Sequence, residues 1–382
     1  GFYDRLGAQT KRLVEGLQAA AQAAGVPFTL PRSKYWYRND YVPVYERVNR
    51  PVEAREAIEF FASDDQRTKV QLSDGSSSDY LPSKTLMLPV DKQNVLRSGI
   101  VAEKDKDLIV DTVYIKLSGD YLNKGELMIV DMLSNYDWTR PIYLTQPYIF
   151  QKFGLVDYLQ FDGYAYRFVP ILTPVQNPWE IGRIDADYAA PLLKETFRYG
   201  NLADPRVYAD YFIQYNLSAS HARDAFARVA KELLRQDRAQ EAVELLDMGL
   251  EKLPPSQIRF TDSNTYPFLE AYYAASAMGV EDAADKGDAL LREYARTLIE
   301  YIEYYLRFDG VQGDMVSPII DEKLDQLGDV YYLAVYAGRK EIIGEINAYY
   351  RSLGVEEENL VDVGDKPHQV DTTLIPRKDT AQ

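Results

Sequence analysis

From Asp204 onward the chain carries Ala, Leu, Glu and Arg at helical spacing and almost no alternating β-branched stretch, and this pattern limits the possible folds more than any other feature. Helices with one apolar stripe have to bury it against one another. The spacing predicts helices over 220–235 and 238–253, closed by Pro254-Pro255, a pair close to the 34-residue length of a tetratricopeptide unit. Ala227, Ala230 and Ala242 are the small residues that let such helices approach. A second pair is expected over 266–278 and 281–306, with Ala271, Ala274 and Ala275 on the packing face and Gly279 at the turn. A third, weaker pair spans 321–337 and 340–353, broken at Gly338. Stacked pairs bury one another's stripes, and roughly three are needed for stability, which matches the count.

The first half reads differently. At 382 residues the chain exceeds the roughly 250–300 residues of a single core, so two parts are expected. The boundaries are an N-terminal α/β domain with a small mixed sheet over 1–182, tetratricopeptide-like helical repeats over 183–354, and a tail over 355–382. Leu6, Leu13 and Leu17 predict an amphipathic helix over 3–24; a second is expected over 52–62 and a third over 126–133. Strands are expected over 84–90, 108–115, 141–144 and 164–171, and the order strand, helix, strand across 108–144 suggests a βαβ crossover. The segment 27–51, rich in Tyr and Pro, reads as an ordered loop with short extended pieces.

Composition removes several classes of function. A net charge of −16 repels phosphate backbones, so no nucleic-acid partner is expected. The absence of cysteine rules out thiolate chemistry and disulfides. No run approaches the ~20 apolar residues of a membrane helix, and the opening Gly1-Phe2-Tyr3-Asp4, with no initiator methionine, reads as a piece of a longer protein. Two histidines, His221 and His368, lie far apart with no zinc-site spacing, and there is no glycine-rich phosphate loop and no Gly-x-Ser-x-Gly elbow. The acidic pairs Asp64-Asp65, Asp105/Asp107 and Asp185/Asp187 lack the rest of a calcium loop and read as solvated or capping charge. Asn216-Leu217-Ser218 is a short glycosylation match. The 31 tyrosines, among them Tyr301, Tyr304, Tyr305, Tyr331, Tyr332 and Tyr336, suggest either core packing or a carbohydrate or peptide platform. No catalytic residue, metal site or cofactor is expected.

Two denser constellations stand at expected strand edges, Asn135-Tyr136-Asp137-Trp138-Thr139-Arg140-Pro141 and Gln160-Phe161-Asp162-Gly163-Tyr164-Ala165-Tyr166-Arg167. Such places bind ligands in α/β sheets, and they also form packed turns with buried ion pairs. They give the candidates Trp138, Arg140, Asp162, Tyr164 and Arg167.

The stretches Ser73-Asp74-Gly75-Ser76 with Tyr80-Leu81-Pro82-Ser83-Lys84, then Leu88-Pro89-Val90-Asp91, Asp131-Met132-Leu133 through Trp138-Thr139-Arg140-Pro141-Ile142-Tyr143, and Gly154-Leu155-Val156-Asp157-Tyr158 carry a family resemblance. So do Phe197-Arg198-Tyr199-Gly200-Asn201-Leu202-Ala203-Asp204-Pro205 and Phe226-Ala227-Arg228-Val229-Ala230. In this order they resemble the C-terminal soluble region of a bacterial family of multi-pass, glycosyltransferase-like membrane proteins, long a domain of unknown function and related to protein O-mannosyltransferases. These segments add Arg198, Asn201 and Asp204 to the candidate binding residues. The resemblance implies a parent that uses a lipid-phosphate sugar, with its catalytic acid in an early extracytoplasmic loop absent from this chain. No catalytic residue is carried over. The expectation is a non-catalytic accessory domain at the periplasmic or extracytoplasmic face of the inner membrane, tethered through the parent's membrane-embedded part and binding or positioning an acceptor protein or glycan. The alternatives are an independent carboxylate-dependent glycoside hydrolase and a structural assembly domain.

Overall fold

A computed structural model describes residues 28–35, 41–48, 50–73, 75–177, 180–210 and 219–354, together with Ala19 and Phe212. The expected helix over 3–24 (Ala19 apart), Asn216-Leu217-Ser218, His368 and the tail lie outside these residues. The chain divides into two compact units, one of 1–161 with 165–183 and one of 162–164 with 184–382.

The first unit is a set of small sheets around one apolar core. Strand β1 (Tyr41–Pro43) pairs antiparallel with β7 (Tyr121–Asn123), placing Tyr41 opposite Asn123 and Pro43 opposite Tyr121. The strands β2 (Val52–Glu53), β5 (Thr85–Pro89) and β6 (Thr112–Lys116) form a second sheet, parallel between β2 and β5 and antiparallel between β5 and β6. A hairpin joins β3 (Lys69–Gln71) to β4 (Ser77–Asp79), and β8 (Tyr143–Leu144), β10 (Tyr166–Phe168) and β9 (Leu159–Phe161) lie side by side in that order, all antiparallel. Besides a single turn over Arg32–Tyr35, the α-helices of this unit among the described residues are α1 (Ala54–Ala62), α2 (Lys92–Arg97) and α3 (Lys124–Ser134). Asn123 and Glu126 start α3 with a reciprocal cap: the Glu126 N–H donates to Asn123 Oδ1 at 2.9 Å, and the Asn123 N–H donates to Glu126 Oε2 at 2.7 Å. Ile58 and Phe61 of α1, Leu127, Val130 and Leu133 of α3, and Leu86, Leu88, Val113 and Ile115 of the sheet bury together.

The crossover expected across 108–144 is not formed. Strand β6 pairs antiparallel with β5, and β8 belongs to another sheet. A parallel strand pair connected through a helix lies earlier in the chain, from β2 through α1 and the β3–β4 hairpin to β5. The physical reason is that α3 is preceded by β7, only three residues long, which returns the chain to β1.

In the second unit, α4 (Ala186–Pro191) runs into a wide turn over Leu192–Thr196. Among the described residues six helices follow: α5 (Ala219–Arg235), α6 (Ala239–Lys252), α7 (Asp262–Ala277), α8 (Ala283–Tyr305), α9 (Gly310–Tyr336) and α10 (Lys340–Ser352). They pack as consecutive hairpins, α5 with α6, α7 with α8 and α9 with α10, and α7 also packs on α5 and α9. Gly249 sits where a Cβ would stand 2.8 Å from the Phe226 ring and 3.1 Å from Phe268, so its hydrogen is what lets α6 meet α5 and α7. Helix α9 begins eleven residues before position 321, because the two glycines and the proline of 310–320 read as loop yet stay helical. Helix α10 turns Lys340, Glu341, Glu345 and Arg351 outward, a polar cap on the end of the array.

Candidate functional site

The candidate residues fall into separate places. Trp138 is 1% exposed, stacks on Phe168 at 5.2 Å and donates its indole N–H to the Pro89 carbonyl at 2.8 Å. Its φ of 62° is in the left-handed region, a cost that the buried indole offsets. The segment is a packed turn: Asp137 accepts from the Thr139 N–H at 3.1 Å and hydroxyl at 2.6 Å, and that hydroxyl and the nearby Arg140 hold its carboxyl below the usual range. Arg140 itself is exposed. Arg167, buried on β10, donates Nη1 to the Gly99 carbonyl at 3.0 Å. Trp138 and Arg167 are thus committed to the core of the first unit.

Asp162 and Tyr164 belong to the second unit, where Gly163, at φ 99°, leaves no room for a Cβ beside Phe197 (2.9 Å). Tyr164 stands edge-on to Phe197 at 4.8 Å, and burial pushes its hydroxyl up to about 12. Asn201 and Asp204 share one turn, in which the Asp204 N–H donates to the Asn201 carbonyl at 2.9 Å and Arg206 clasps the Asp204 carboxylate (2.6 Å), keeping it below the usual range. Arg198 is exposed and donates to the Glu195 carbonyl at 3.0 Å. The acidic pairs are engaged by cations: Asp64 by Lys34 (3.2 Å), Asp65 by Arg67 (2.5 Å), Asp105 by Arg183 (2.8 Å) and Asp187 by Arg238 (2.6 Å). Among the described residues no group of acidic or histidine side chains is placed to hold a metal ion.

Four buried tyrosine hydroxyls donate to carboxylates on neighbouring elements. Tyr272 reaches Asp247 (2.9 Å), Tyr273 reaches Asp288 (2.9 Å), Tyr294 reaches Asp262 (2.5 Å) and Tyr35 reaches Asp131 (2.7 Å). Of the six tyrosines named as a platform in the helical part, Tyr304 and Tyr336 are exposed and the other four are half-buried. Helix α5 exposes only His221 and Arg235, and α7 only Ser263 and Ala277, all near helix ends, so the described side chains of these two helices offer no open groove face.

An exposed aromatic row lies instead on the first unit. Along 41–45 the side chains alternate: Val42 and Val44 are buried, and Tyr41, Pro43 and Tyr45 take the other face. Tyr41 is 60% and Tyr121 52% exposed; their rings meet at 4.8 Å and 77°, a corner and not a stack. Lys152 Nζ lies 5.2 Å from the Tyr121 centroid and 2.8 Å from Glu126 Oε2. At the other end Tyr45 packs edge-on against Tyr80 (5.5 Å), which meets Phe60 (5.2 Å), and Arg47 lies over Tyr45 at 5.5 Å.

Residues 10–188 match the family model of the TMEM260-associated domain 2. That family is of unknown function. No curated protein and no solved structure matches the chain. The span of the TMEM260-associated domain 2 match contains β1–β10, α1–α3 and the whole aromatic row, and ends inside α4; the hairpins α5–α10 lie beyond it. Sequence reasoning missed the row because its members come from positions 41–45, 60, 80, 121 and 152. The available signal was the Tyr-Val-Pro-Val-Tyr alternation of 41–45.

Proposed function

We propose that this chain is a non-catalytic, extracytoplasmic accessory part of a membrane glycosyltransferase-like protein, and that it binds or positions an acceptor protein or glycan. The observation that carries this reading is the match of residues 10–188 to the TMEM260-associated domain 2, TMEM260 being an O-mannosyltransferase-related membrane protein. No helix among the described residues is long and apolar enough to cross a membrane, so on this reading attachment comes from the membrane-embedded part of the parent chain. Three consecutive helix hairpins, close-packed through small residues and closed by a polar outer helix, support reading 219–354 as a tetratricopeptide-like layer. Because α5 and α7 are buried along their length, recognition is assigned to the first unit and not to a groove on those two helices.

The test compares sugar transfer to envelope acceptors in cells carrying the full-length parent and in cells carrying the parent truncated before Gly1. Lost transfer at unchanged parent abundance is expected; normal transfer overturns the accessory role. A structural assembly role is favoured by one observation, the exposed corner of Tyr304, Leu306, Val311 (77% exposed) and Met315 (74%) between α8 and α9. It predicts concentration-dependent self-association that Val311→Asp with Met315→Asp abolishes, measured by analytical ultracentrifugation.

A further inference from the structure

We infer that the aromatic row of Tyr41, Tyr121, Pro43 and Tyr45 is a binding site for a neutral oligosaccharide. The ligand chemistry follows from three properties of the surface. First, its apolar content is aromatic rings and one proline ring, offered by face and edge. A pyranose has a C–H face that packs on such rings and hydroxyls that need a polar rim, whereas an apolar helix is anchored by aliphatic pockets. Second, the rim charges come as opposed neighbours: Lys152 with Glu126 (2.8 Å), Lys84 with Asp120 (2.7 Å), and Glu46 beside Arg47 in sequence. A surface balanced in this way gives no net attraction to an anionic or a cationic ligand and supplies both donors and acceptors to hydroxyl groups. Third, the backbone along 43–47 is already paired. The Val44 N–H donates to Asp120, Tyr45 to Leu81 and Arg47 to Pro82, and the Pro43 carbonyl accepts from Leu81. An extended peptide therefore finds no free strand edge there to add to.

The row also has a length. Four steps of extended chain from Tyr41 to Tyr45 cover about 13 Å, with exposed rings at one end and the half-buried Tyr45, backed by Tyr80 and Phe60, at the other. That suits several linked sugar rings better than one. Cross-strand aromatic pairs also stabilise a two-stranded ladder, by about 0.2–1 kcal/mol, but that role does not require both rings to be more than half exposed.

This inference rests on the accessory reading only for its place in the cell, so the two are tested separately. Saturation-transfer NMR on the 382-residue chain would use mannotetraose, chitotetraose and maltotetraose as probes. At least one is expected to receive saturation at its ring C–H protons, with affinity falling about tenfold or more in Tyr41→Ala and in Tyr121→Ala. Tyr41→Phe and Tyr304→Ala are expected to change it less than about twofold, since the ring and not the hydroxyl supplies the contact and Tyr304 lies elsewhere. Circular dichroism of each variant shows that a loss is not unfolding. No transfer to any probe, or equal transfer in the Tyr41→Ala/Tyr121→Ala double variant, overturns the site. Tyr41-dependent binding of an unglycosylated Ser/Thr-rich peptide without sugar binding overturns it as well. Failure here, with transfer in cells still lost on truncation, removes the oligosaccharide site and leaves the accessory role. Sugar binding with normal transfer in the truncated parent does the reverse.

Discussion

The two units hold themselves together by different means. In the first, strands of two to five residues and irregular segments are tied by single buried polar side chains that reach across long stretches of sequence. Asp131, fully buried on α3, accepts from the Thr29 N–H (2.9 Å), the Leu30 N–H (3.0 Å) and the Tyr35 hydroxyl (2.7 Å), joining residues about a hundred positions apart. Burial raises its carboxyl above the usual range, and those three bonds work against the rise. The second unit also has buried polar ties, Arg223 donating to the Leu253 and Ile258 carbonyls (2.6 Å each) and Lys231 pairing with Glu270 (2.6 Å). These join neighbouring elements about thirty to forty positions apart, and small residues such as Gly249, Ala227 and Ala274 are buried at the packing faces. The difference teaches that one side-chain change in the first unit can release a segment about a hundred positions away, whereas in the second it disturbs helices adjacent in sequence.

The largest expected effect is Asp131→Ala, which leaves two buried donors and one half-buried donor without an acceptor and should cost about 3–5 kcal/mol in urea unfolding. An effect under about 1 kcal/mol would show that the polar tie is not what orders 28–35. Gly249→Ala sharpens the other side of the comparison. A Cβ 2.8 Å from Phe226 overpacks the α5–α6 contact, with an expected net loss of about 1–3 kcal/mol by thermal melting despite alanine's better helix propensity. Tyr272→Phe should cost only about 0.5–1.5 kcal/mol, because Asp247 keeps Lys286 at 2.8 Å.

The pH dependence follows from Asp131. A carboxyl raised on folding makes the native state bind more protons than the unfolded one, so its contribution to stability falls as pH rises from the unfolded value near 3.9 to the raised native value and is level outside that window. The stability difference between wild type and Asp131→Asn should therefore shrink as pH rises through that window; a constant difference in urea midpoint would contradict it. The smallest effect, of opposite sign, is Asp237→Gly at the α5–α6 turn. There φ is 58°, and glycine should stabilise by about 0.5–1 kcal/mol.

This contrast also explains what could be read from the chain. The helices of the second unit were legible because a period near 3.6 is written over fourteen or more residues each for α5 and α6, and Gly279 and Gly338 mark turns with positive φ. Sheet connectivity in the first unit was not, since a strand such as β7 is too short to show its alternation and its pairing partner lies about eighty residues away. Trp138 and Arg167 looked like edge residues because aromatic and cationic side chains beside a strand read the same from sequence whether they face solvent or fill the core. The structure buries both. Among the remaining candidates, only Asp162 with Tyr164 and Asn201 with Asp204 share local structure, each pair through adjacent backbone.

The reach of Asp131 has a consequence in time. A chain leaves the ribosome at about 5–20 residues per second, so residues 29–35 wait roughly five to twenty seconds before the carboxylate that secures them has been made. The hairpin of α5 and α6 has only a three-residue connection to wait for. Residues 29–35 are thus the segment whose anchoring in the first unit comes late, and a chain stopped short of Asp131 should leave them unsecured.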